Sequence, residues 1–195
     1  MKIAVLGGSF DPPHFGHKIL AEKIINELNF DKVLIIPCFD HDFGKKLSPA
    51  KNRLQMTKLL RKKQIEVSDI EIKRGGVSIS IDTLIELGKQ HPNDNFYWVL
   101  GSDQLSDFHK WDYWEKIISD FGLIVAKRDN EKNLSQKIRK DLDLEKLPKE
   151  IIILKADIPN ISSTEVRERT KQNKSIHTLV PEKVEEYIIK HNLYK

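Results

Sequence analysis

Short apolar runs alternate along this chain with longer segments in which apolar residues recur at helical spacing. Six runs predict buried strands, at residues 3–6, 32–37, 65–72, 96–100, 122–126 and 151–154. Helical patterns separate or follow most of them, at residues 19–28, 49–60, 81–87, around 111–114, 162–171 and 181–191. Ser80 is the predicted N-cap of the third helix. This alternation predicts an α/β fold with a doubly wound, mainly parallel sheet and helices on both faces.

Length and composition narrow this picture. With 195 residues, the chain suits one domain over residues 1–195, with the C-terminal helical part, about 160–195, packing on the sheet. The single cysteine, Cys38, excludes an intramolecular disulfide and favours a reducing cytoplasm. No apolar stretch has the length of a membrane span, so we expect no membrane partner.

Charge alone does not identify a partner. The formal net charge is +4 and the pI is about 9.0, which could suit a nucleic acid. However, lysines and arginines alternate with acidic residues throughout the chain, as on a solvated surface, and no nucleic-acid-binding motif accompanies them. A mildly basic field suits small anionic nucleotides equally well. We therefore expect no nucleic-acid partner.

The turn after the first strand carries the first candidate chemistry. Residues 7–17, GGSFDPPHFGH, end the strand and open a helix. His14 and His17 are three residues apart and share a face of its first turn. A helix N-terminus presents free N–H groups and the positive end of a dipole, so this turn suits a phosphate. Its glycines allow close approach of a ligand.

A second segment, residues 161–167 (ISSTEVR), opens a later helix. Its three hydroxyl residues can cap free N–H groups or bind phosphate oxygens, and Arg167 offers a planar fork of donors one turn further on. Taken alone, the segment is better explained as a capping box between Ser162 and Glu165 with a solvated arginine, but together with the first segment, in this order, it favours phosphate binding. Both segments, and the turn at residues 101–103, follow strands, so a parallel sheet would bring them together at the carboxyl ends of its strands.

The two segments resemble the GGTFDPxHxGH and ISSTxxR motifs of the nucleotidyltransferase superfamily, with Ser9 in place of the usual Thr. Residues 74–84, RGGVSISIDTL, resemble the RGGxSYTxDTL segment of the nicotinate-nucleotide adenylyltransferases. Gly101-Ser102-Asp103 followed by Trp111 resembles their GxD…W segment, and residues 175–194 resemble their C-terminal helix. The resemblance implies a Rossmann-like fold. It also implies transfer of the adenylyl group of ATP to nicotinate mononucleotide, giving nicotinate adenine dinucleotide and pyrophosphate in NAD biosynthesis.

The resemblance also implies residue roles. The catalytic residues would be His14, His17, Lys45 and Arg167, with Lys46 as the substitute for Lys45. The ATP-binding residues would be Gly8, Ser9, Phe10, Gly16, Gly101, Asp103, Ser162, Ser163 and Thr164. The acceptor would meet Ser80, Asp103 and Trp111, of which Trp111 would stack on the pyridine ring, while Trp114 stays in the core. Mg²⁺ would arrive bound to ATP, and no residue is assigned as a metal ligand.

These residue types suit adenylyl transfer. The acceptor is a phosphomonoester whose second pKa is about 6, so it is already a charged nucleophile near neutral pH. The protein has to align the phosphates and stabilise the charge that develops on them, and no general base is required. Histidines, a lysine, an arginine and a helix N-terminus supply that stabilisation.

Three departures from the family pattern leave the acceptor open. Residues 41–46, HDFGKK, replace a PPHK-like loop in which His41 could stand for the loop histidine. Ile79 replaces Tyr in the SYT segment, and residues 128–130 lack the Pro and Gly of an RPG turn. Nicotinamide mononucleotide or another phosphomonoester is the alternative acceptor. A non-catalytic nucleotide-binding module is the alternative from another class, and a homo-oligomer is left open.

Overall fold

A computed structural model describes residues 1–40, 46–127, 138 and 150–195. Its six strands are β1 (Lys2–Gly8), β2 (Lys32–Pro37), β3 (Ile65–Val67), β4 (Asn95–Gly101), β5 (Gly122–Ala126) and β6 (Ile151–Leu154). All neighbouring pairs are parallel, and the order across the sheet is β3-β2-β1-β4-β5-β6. This is the strand order of the Rossmann fold, so the predicted fold class is confirmed.

The helices of the described ranges are α1 (Phe15–Leu28), α2 (Ala50–Lys58), α3 (Ile70–Arg74), α4 (Ser80–Gln90), α5 (Trp114–Asp120), α6 (Ser163–Lys171) and α7 (Glu182–Lys190). A 3₁₀ helix, Ser102–Lys110, follows β4. No helix in these ranges has both the length and the apolar character needed to cross a membrane.

Alternate residues of β1 pack on opposite faces of the sheet. Ile3 and Val5 belong to a core with α4 and α5, whereas Ala4 and Leu6 belong to a second core with α1. A strand buried on both faces reads as a continuous apolar run, which is why β1 is apolar from residue 3 to residue 6. Helices therefore cover both faces of the sheet, as the sequence predicts.

A third apolar cluster joins the C-terminal part of the chain to α2. Val166 of α6 and Val184 of α7 are both fully buried and pack with Met56 of α2. The backbone N–H of Phe15, at the start of α1, donates to the carbonyl of Leu179 at 2.9 Å. The C-terminal helices thus lie beside the helix that opens at residue 15.

Three local predictions are wrong. The strand predicted over residues 65–72 ends at Val67, and the chain turns into α3, because the hydroxyl of Ser68 accepts the N–H of Ile70 and starts a new turn. Ser80 is not an N-cap. Ile79 has the extended backbone of an N-cap residue, and Ser80 is the first residue of α4. The predicted helical stretch around Trp111 is in fact two elements, the 3₁₀ helix and α5.

Candidate active site

The sheet has its topological switch between β1 and β4. The chain leaves β1 toward β2 on one side and later returns to β4 on the other side, so a crevice opens where the two strands end. Gly8 ends β1 and Gly101 ends β4. Ligands of doubly wound sheets bind in such a crevice. The turns at residues 7–17 and 101–103 both lie at its edge.

The first segment, residues 7–17, is called the histidine turn below. Phe10 is buried and has φ of 48°, a left-handed conformation that a bulky residue adopts only when its surroundings enforce it. The rings of His14 and His17 stack with centroids 3.7 Å apart, and the Phe10 ring lies 4.8 Å from His17. His14 is 5% exposed. The two histidines are therefore held rigidly against each other.

A backbone hydrogen bond fixes the tautomer of His17. The N–H of His14, the N-cap of α1, donates to Nδ1 of His17 at 3.2 Å. Because Nδ1 accepts, the ring hydrogen of the neutral imidazole lies on Nε2. His17 therefore presents a hydrogen-bond donor at Nε2, which is the group needed to stabilise a phosphate oxygen.

Gly16 leaves room for the His14 ring. A Cβ at this position would lie 3.0 Å from Cε1 and Nδ1 of His14 and 3.3 Å from the carbonyl oxygen of Pro159. Contacts this short would push the ring away from its stacked position. Packing against His14 therefore explains the glycine at this position, and a role of Gly16 beside ATP stays a prediction.

The second segment lies directly on the histidine turn. Nη1 of Arg167 donates to the carbonyl of Asp11 at 2.7 Å, and the hydroxyl of Ser163 donates to the carbonyl of Pro12 at 2.8 Å. Nη2 of Arg167 also donates to the Thr164 hydroxyl at 3.2 Å. The predicted convergence of the two motifs is therefore confirmed.

Ser162 has a capping role. It is the N-cap of α6, and its hydroxyl accepts the N–H of Glu165 at 3.1 Å. This bond satisfies one of the free N–H groups at the start of the helix. The capping explanation of the second segment thus holds for this residue, whereas Arg167 is bonded to the histidine turn rather than merely solvated.

Arg53 has a structural role that the sequence analysis does not predict. It is 1% exposed, and its guanidinium donates to four backbone carbonyls at 2.6–2.9 Å: those of Ser9, Cys38, Phe39 and Ser48. It therefore ties the histidine turn to the end of β2 and the start of α2. The available signal was an arginine within the buried stripe of α2, beside Leu54 and Met56.

Cys38 provides a test of this buried region. Burial of the thiol raises its pKa to about 11, although the nearby Arg53 acts in the opposite direction. We expect folded protein at pH 8 to react slowly with a disulfide reagent, because only about a thousandth of the thiol is ionised. The labelling rate should rise about tenfold per pH unit between pH 8 and 10.

The control for this experiment is the same protein in denaturant, which should label at the rate of an ordinary exposed thiol. The rate is measured from the absorbance of the released reporter group. Complete labelling of folded protein within minutes at pH 7 would contradict the buried, neutral thiol.

A cavity of about 490 Å³ lies between the start of α4 and the 3₁₀ helix that follows β4. Its wall contains all three predicted acceptor residues, Ser80, Asp103 and Trp111. Trp111 is half-buried, and its ring meets those of Trp98 and Phe108 edge to face. A flat aromatic wall with polar groups around it suits a planar heteroaromatic ligand. Trp114 packs against the core, as predicted.

The segment before α4 is held in place beside this cavity. Gly75 and Gly76 both have φ of 70°, which allows the turn predicted at RGG. The N–H of Phe39 donates to the Ser78 hydroxyl at 3.0 Å, and the N–H of Ser78 donates to the carbonyl of Asp40 at 3.0 Å. The end of β2 and one wall of the cavity are thus joined.

A buried polar network supports that wall from beneath. Glu71 is 3% exposed and accepts the hydroxyl of Thr83 at 2.7 Å, while Arg74 donates to the same hydroxyl at 2.8 Å. Burial raises the pKa of the Glu71 carboxyl. The network connects α3 to α4, and therefore fixes the helix whose first residue is Ser80.

The remaining predicted residues are placed as follows. Gly101 lets the Asp103 carboxylate approach the end of β4, since a Cβ there would overlap Oδ1 of Asp103. Lys46 is exposed, whereas Lys45, His41 and residues 128–130 lie outside the described residues. Within the described ranges, no group of three or more His, Cys, Asp or Glu side chains could hold a metal ion.

Comparisons with known proteins agree with this geometry. A family model described as cytidylyltransferase-like matches residues 5–169. A probable nicotinate-nucleotide adenylyltransferase of Clostridium botulinum (strain Langeland) is 35% identical, covering 98% of both chains. A relative of that name in Clostridium tetani is 34% identical, covering 100% of this chain and 99% of its own.

A solved structure agrees as well. Plasmodium falciparum nicotinic acid mononucleotide adenylyltransferase complexed with NaAD superimposes with a TM-score of 0.81 at 28% identity, covering 99% of this chain and 97% of its own. The chain therefore belongs to the cytidylyltransferase-like family and, within it, to the nicotinate-nucleotide adenylyltransferases.

Proposed function

We propose that this chain transfers the adenylyl group of ATP to nicotinate mononucleotide, releasing pyrophosphate and forming nicotinate adenine dinucleotide. The observation that carries the proposal is the docking of Ser163 and Arg167 on the backbone of Asp11 and Pro12. These bonds hold the second motif against the turn that carries the paired histidines. Relatives of the same length carry the name of this activity.

In the proposed reaction, an oxygen of the acceptor phosphate attacks the α-phosphorus of ATP. The new P–O bond forms as the bond between the α-phosphorus and the bridging oxygen breaks, and pyrophosphate leaves with Mg²⁺. The Nε2–H of His17 and the guanidinium of Arg167 stabilise the charge on the triphosphate. His14 orients His17. A lysine between β2 and α2, Lys45 or, as its substitute, Lys46, adds a further positive charge.

The proposal assigns the other residues to the two substrates. ATP, entering as its Mg²⁺ complex, would lie along Gly8, Ser9 and Phe10, with Ser162, Ser163 and Thr164 toward its terminal phosphates. Gly16 and Gly101 would lie beside ATP, next to the His14 ring and the Asp103 carboxylate for which they leave room. The pyridine nucleotide would occupy the cavity, with Asp103 accepting from a ribose hydroxyl. We further propose that the whole chain acts as one cytoplasmic domain.

The acceptor is tested by supplying MgATP with either nicotinate or nicotinamide mononucleotide and measuring pyrophosphate release. We expect the higher kcat/KM with the nicotinate compound. A higher value with the nicotinamide compound would overturn the acceptor but keep the chemistry. No release with either compound, while ATP still binds, would overturn the enzyme and favour a nucleotide-binding module.

Replacing Trp111 with alanine should raise the KM for the acceptor by about 5- to 150-fold, because stacking a base on an aromatic ring contributes about 1–3 kcal/mol. The KM for ATP should change less than twofold. Tyr113 is the matched control, since it is 71% exposed and lies two residues away. Tyr113→Ala should leave both constants unchanged, and an unchanged acceptor KM in Trp111→Ala would remove the ring from the acceptor site.

A further inference from the structure

We propose that Tyr194, the penultimate residue, is a positioning residue for the transfer, acting through Asp11 on the histidine turn. The inference rests on the proposed function for its kinetic consequences. Its geometric basis is a hydrogen bond that joins residues 183 positions apart: the Tyr194 hydroxyl donates to Oδ1 of Asp11 at 2.6 Å.

Asp11 is almost completely buried, at 2% exposed. A buried carboxylate is costly unless its oxygens accept hydrogen bonds. Here both are used, because Oδ2 accepts the N–H of Ser48 at 2.9 Å while Oδ1 accepts Tyr194. One side chain of the histidine turn therefore holds both the end of the chain and the start of α2.

The backbone at the same position carries two further contacts. The carbonyls of Asp11 and Pro12 accept Arg167 and Ser163 of α6, respectively. The start of α2, the helix α6 and the C-terminus thus converge on two residues that lie just before His14. Loosening one of these contacts would let the turn, whose Phe10 has an enforced left-handed conformation, relax away from its present geometry.

Contacts of the C-terminal residues hold the Tyr194 hydroxyl in place. Chain ends fray unless they are tied down. After α7 the N–H of Leu193 donates to the carbonyl of Ile188 at 3.1 Å, and Leu193 and Tyr194 pack on the C-terminal apolar cluster. Burial and the neighbouring Asp11 carboxylate raise the pKa of the Tyr194 phenol well above its usual value. Tyr194 is therefore a neutral donor at physiological pH.

The contacts of Asp11 also include the residue two positions after Lys46. The N–H of this residue, Ser48, donates to Asp11, so the backbone next to Lys46 is linked to the histidine turn. The cavity lined by Trp111 has no part in this set of contacts. Loss of the Tyr194 hydroxyl should consequently lower kcat and leave the KM of the acceptor unchanged.

The test is a double-mutant cycle of Tyr194→Phe and Asp11→Ala, assayed for kcat and both KM values. We expect Tyr194→Phe to lower kcat by about tenfold, the effect of one hydrogen bond to a charged group. Acceptor KM should stay within twofold of the wild type. Because Tyr194 acts through Asp11, the double variant should be no slower than Asp11→Ala alone.

Tyr187→Phe is the matched control, since its hydroxyl donates to Asn52 at 3.2 Å and does not touch Asp11. It should keep the wild-type kcat. A wild-type kcat in Tyr194→Phe, or losses that multiply in the double variant, would overturn the proposal.

A readout that is independent of activity separates this proposal from the proposed function. The imidazole resonances of His14 and His17 in nuclear magnetic resonance spectra should shift in Tyr194→Phe and stay in place in Tyr187→Phe. If the wild-type protein transfers no adenylyl group, the proposed function fails while these spectra still decide whether Tyr194 positions the turn. Unshifted resonances in Tyr194→Phe would overturn the positioning role whatever the activity.

Discussion

Replacing His17 with alanine should lower kcat by about 100- to 1,000-fold, the effect of removing one donor that stabilises charge in a transition state. The N–H of His14 donates to Nδ1 of His17, so the proposed donor to the phosphates is its Nε2–H. Stability should fall by only about 1 kcal/mol, because the side chain also accepts a bond at the start of α1. Steady-state rates and urea unfolding measure the two effects.

His17→Gln separates catalysis from capping. A glutamine at this position of a helix can still accept the N–H of the N-cap residue, so the unfolding free energy should stay close to that of the wild type. Its kcat should nevertheless remain low, since the glutamine side chain has no N–H at the position that Nε2–H of the imidazole occupies. Near-normal turnover in His17→Ala with unchanged stability would remove this histidine from the catalytic site.

Replacing Arg53 with methionine should lower the free energy of unfolding by about 3–5 kcal/mol, because a buried acceptor that loses its donor costs about 1–3 kcal/mol and several are affected. The four carbonyls that Arg53 now satisfies would lose their donor inside the protein. Activity should fall as well, because one of these carbonyls belongs to Ser9 in the histidine turn. Equilibrium unfolding in urea gives the stability change.

Arg61→Met is the control for Arg53. Arg61 is exposed and donates to one carbonyl, that of Val67, at 3.1 Å among the described contacts. Its replacement should cost less than about 1 kcal/mol. Equal losses of unfolding free energy in the two variants would show that the buried contacts of Arg53 do not stabilise the protein more than the single contact of Arg61.

Most of the sheet could be predicted because its strands are buried on both faces. The runs at residues 32–37, 122–126 and 151–154 have the same bounds as β2, β5 and β6. Residues 65–72 could not be assigned in this way, since apolar residues at 65, 67, 70 and 72 fit a strand as well as a strand followed by a short helix. The Ser68 hydroxyl, which starts the new turn, decides between them.

The candidate site also has parts that could be predicted from the sequence and parts that could not. The histidine turn and the second motif could be identified because each is a short, continuous pattern, and their meeting follows from parallel strand order. Arg53 and the bond between Asp11 and Tyr194 could not be predicted, because each depends on partners that are distant in sequence. The contacts of Ser163 and Arg167 with the histidine turn are structural findings, and their contacts with phosphates remain predictions.

The central claim is adenylyl transfer at this crevice, and the most direct measurement follows the α-phosphate of ATP. The protein is incubated with Mg²⁺, nicotinate mononucleotide and ATP labelled at the α-phosphorus, and the products are separated. We expect the label to appear in nicotinate adenine dinucleotide, with one unlabelled pyrophosphate for each molecule formed. Label that stays in ATP, or that appears only in ADP, would contradict it.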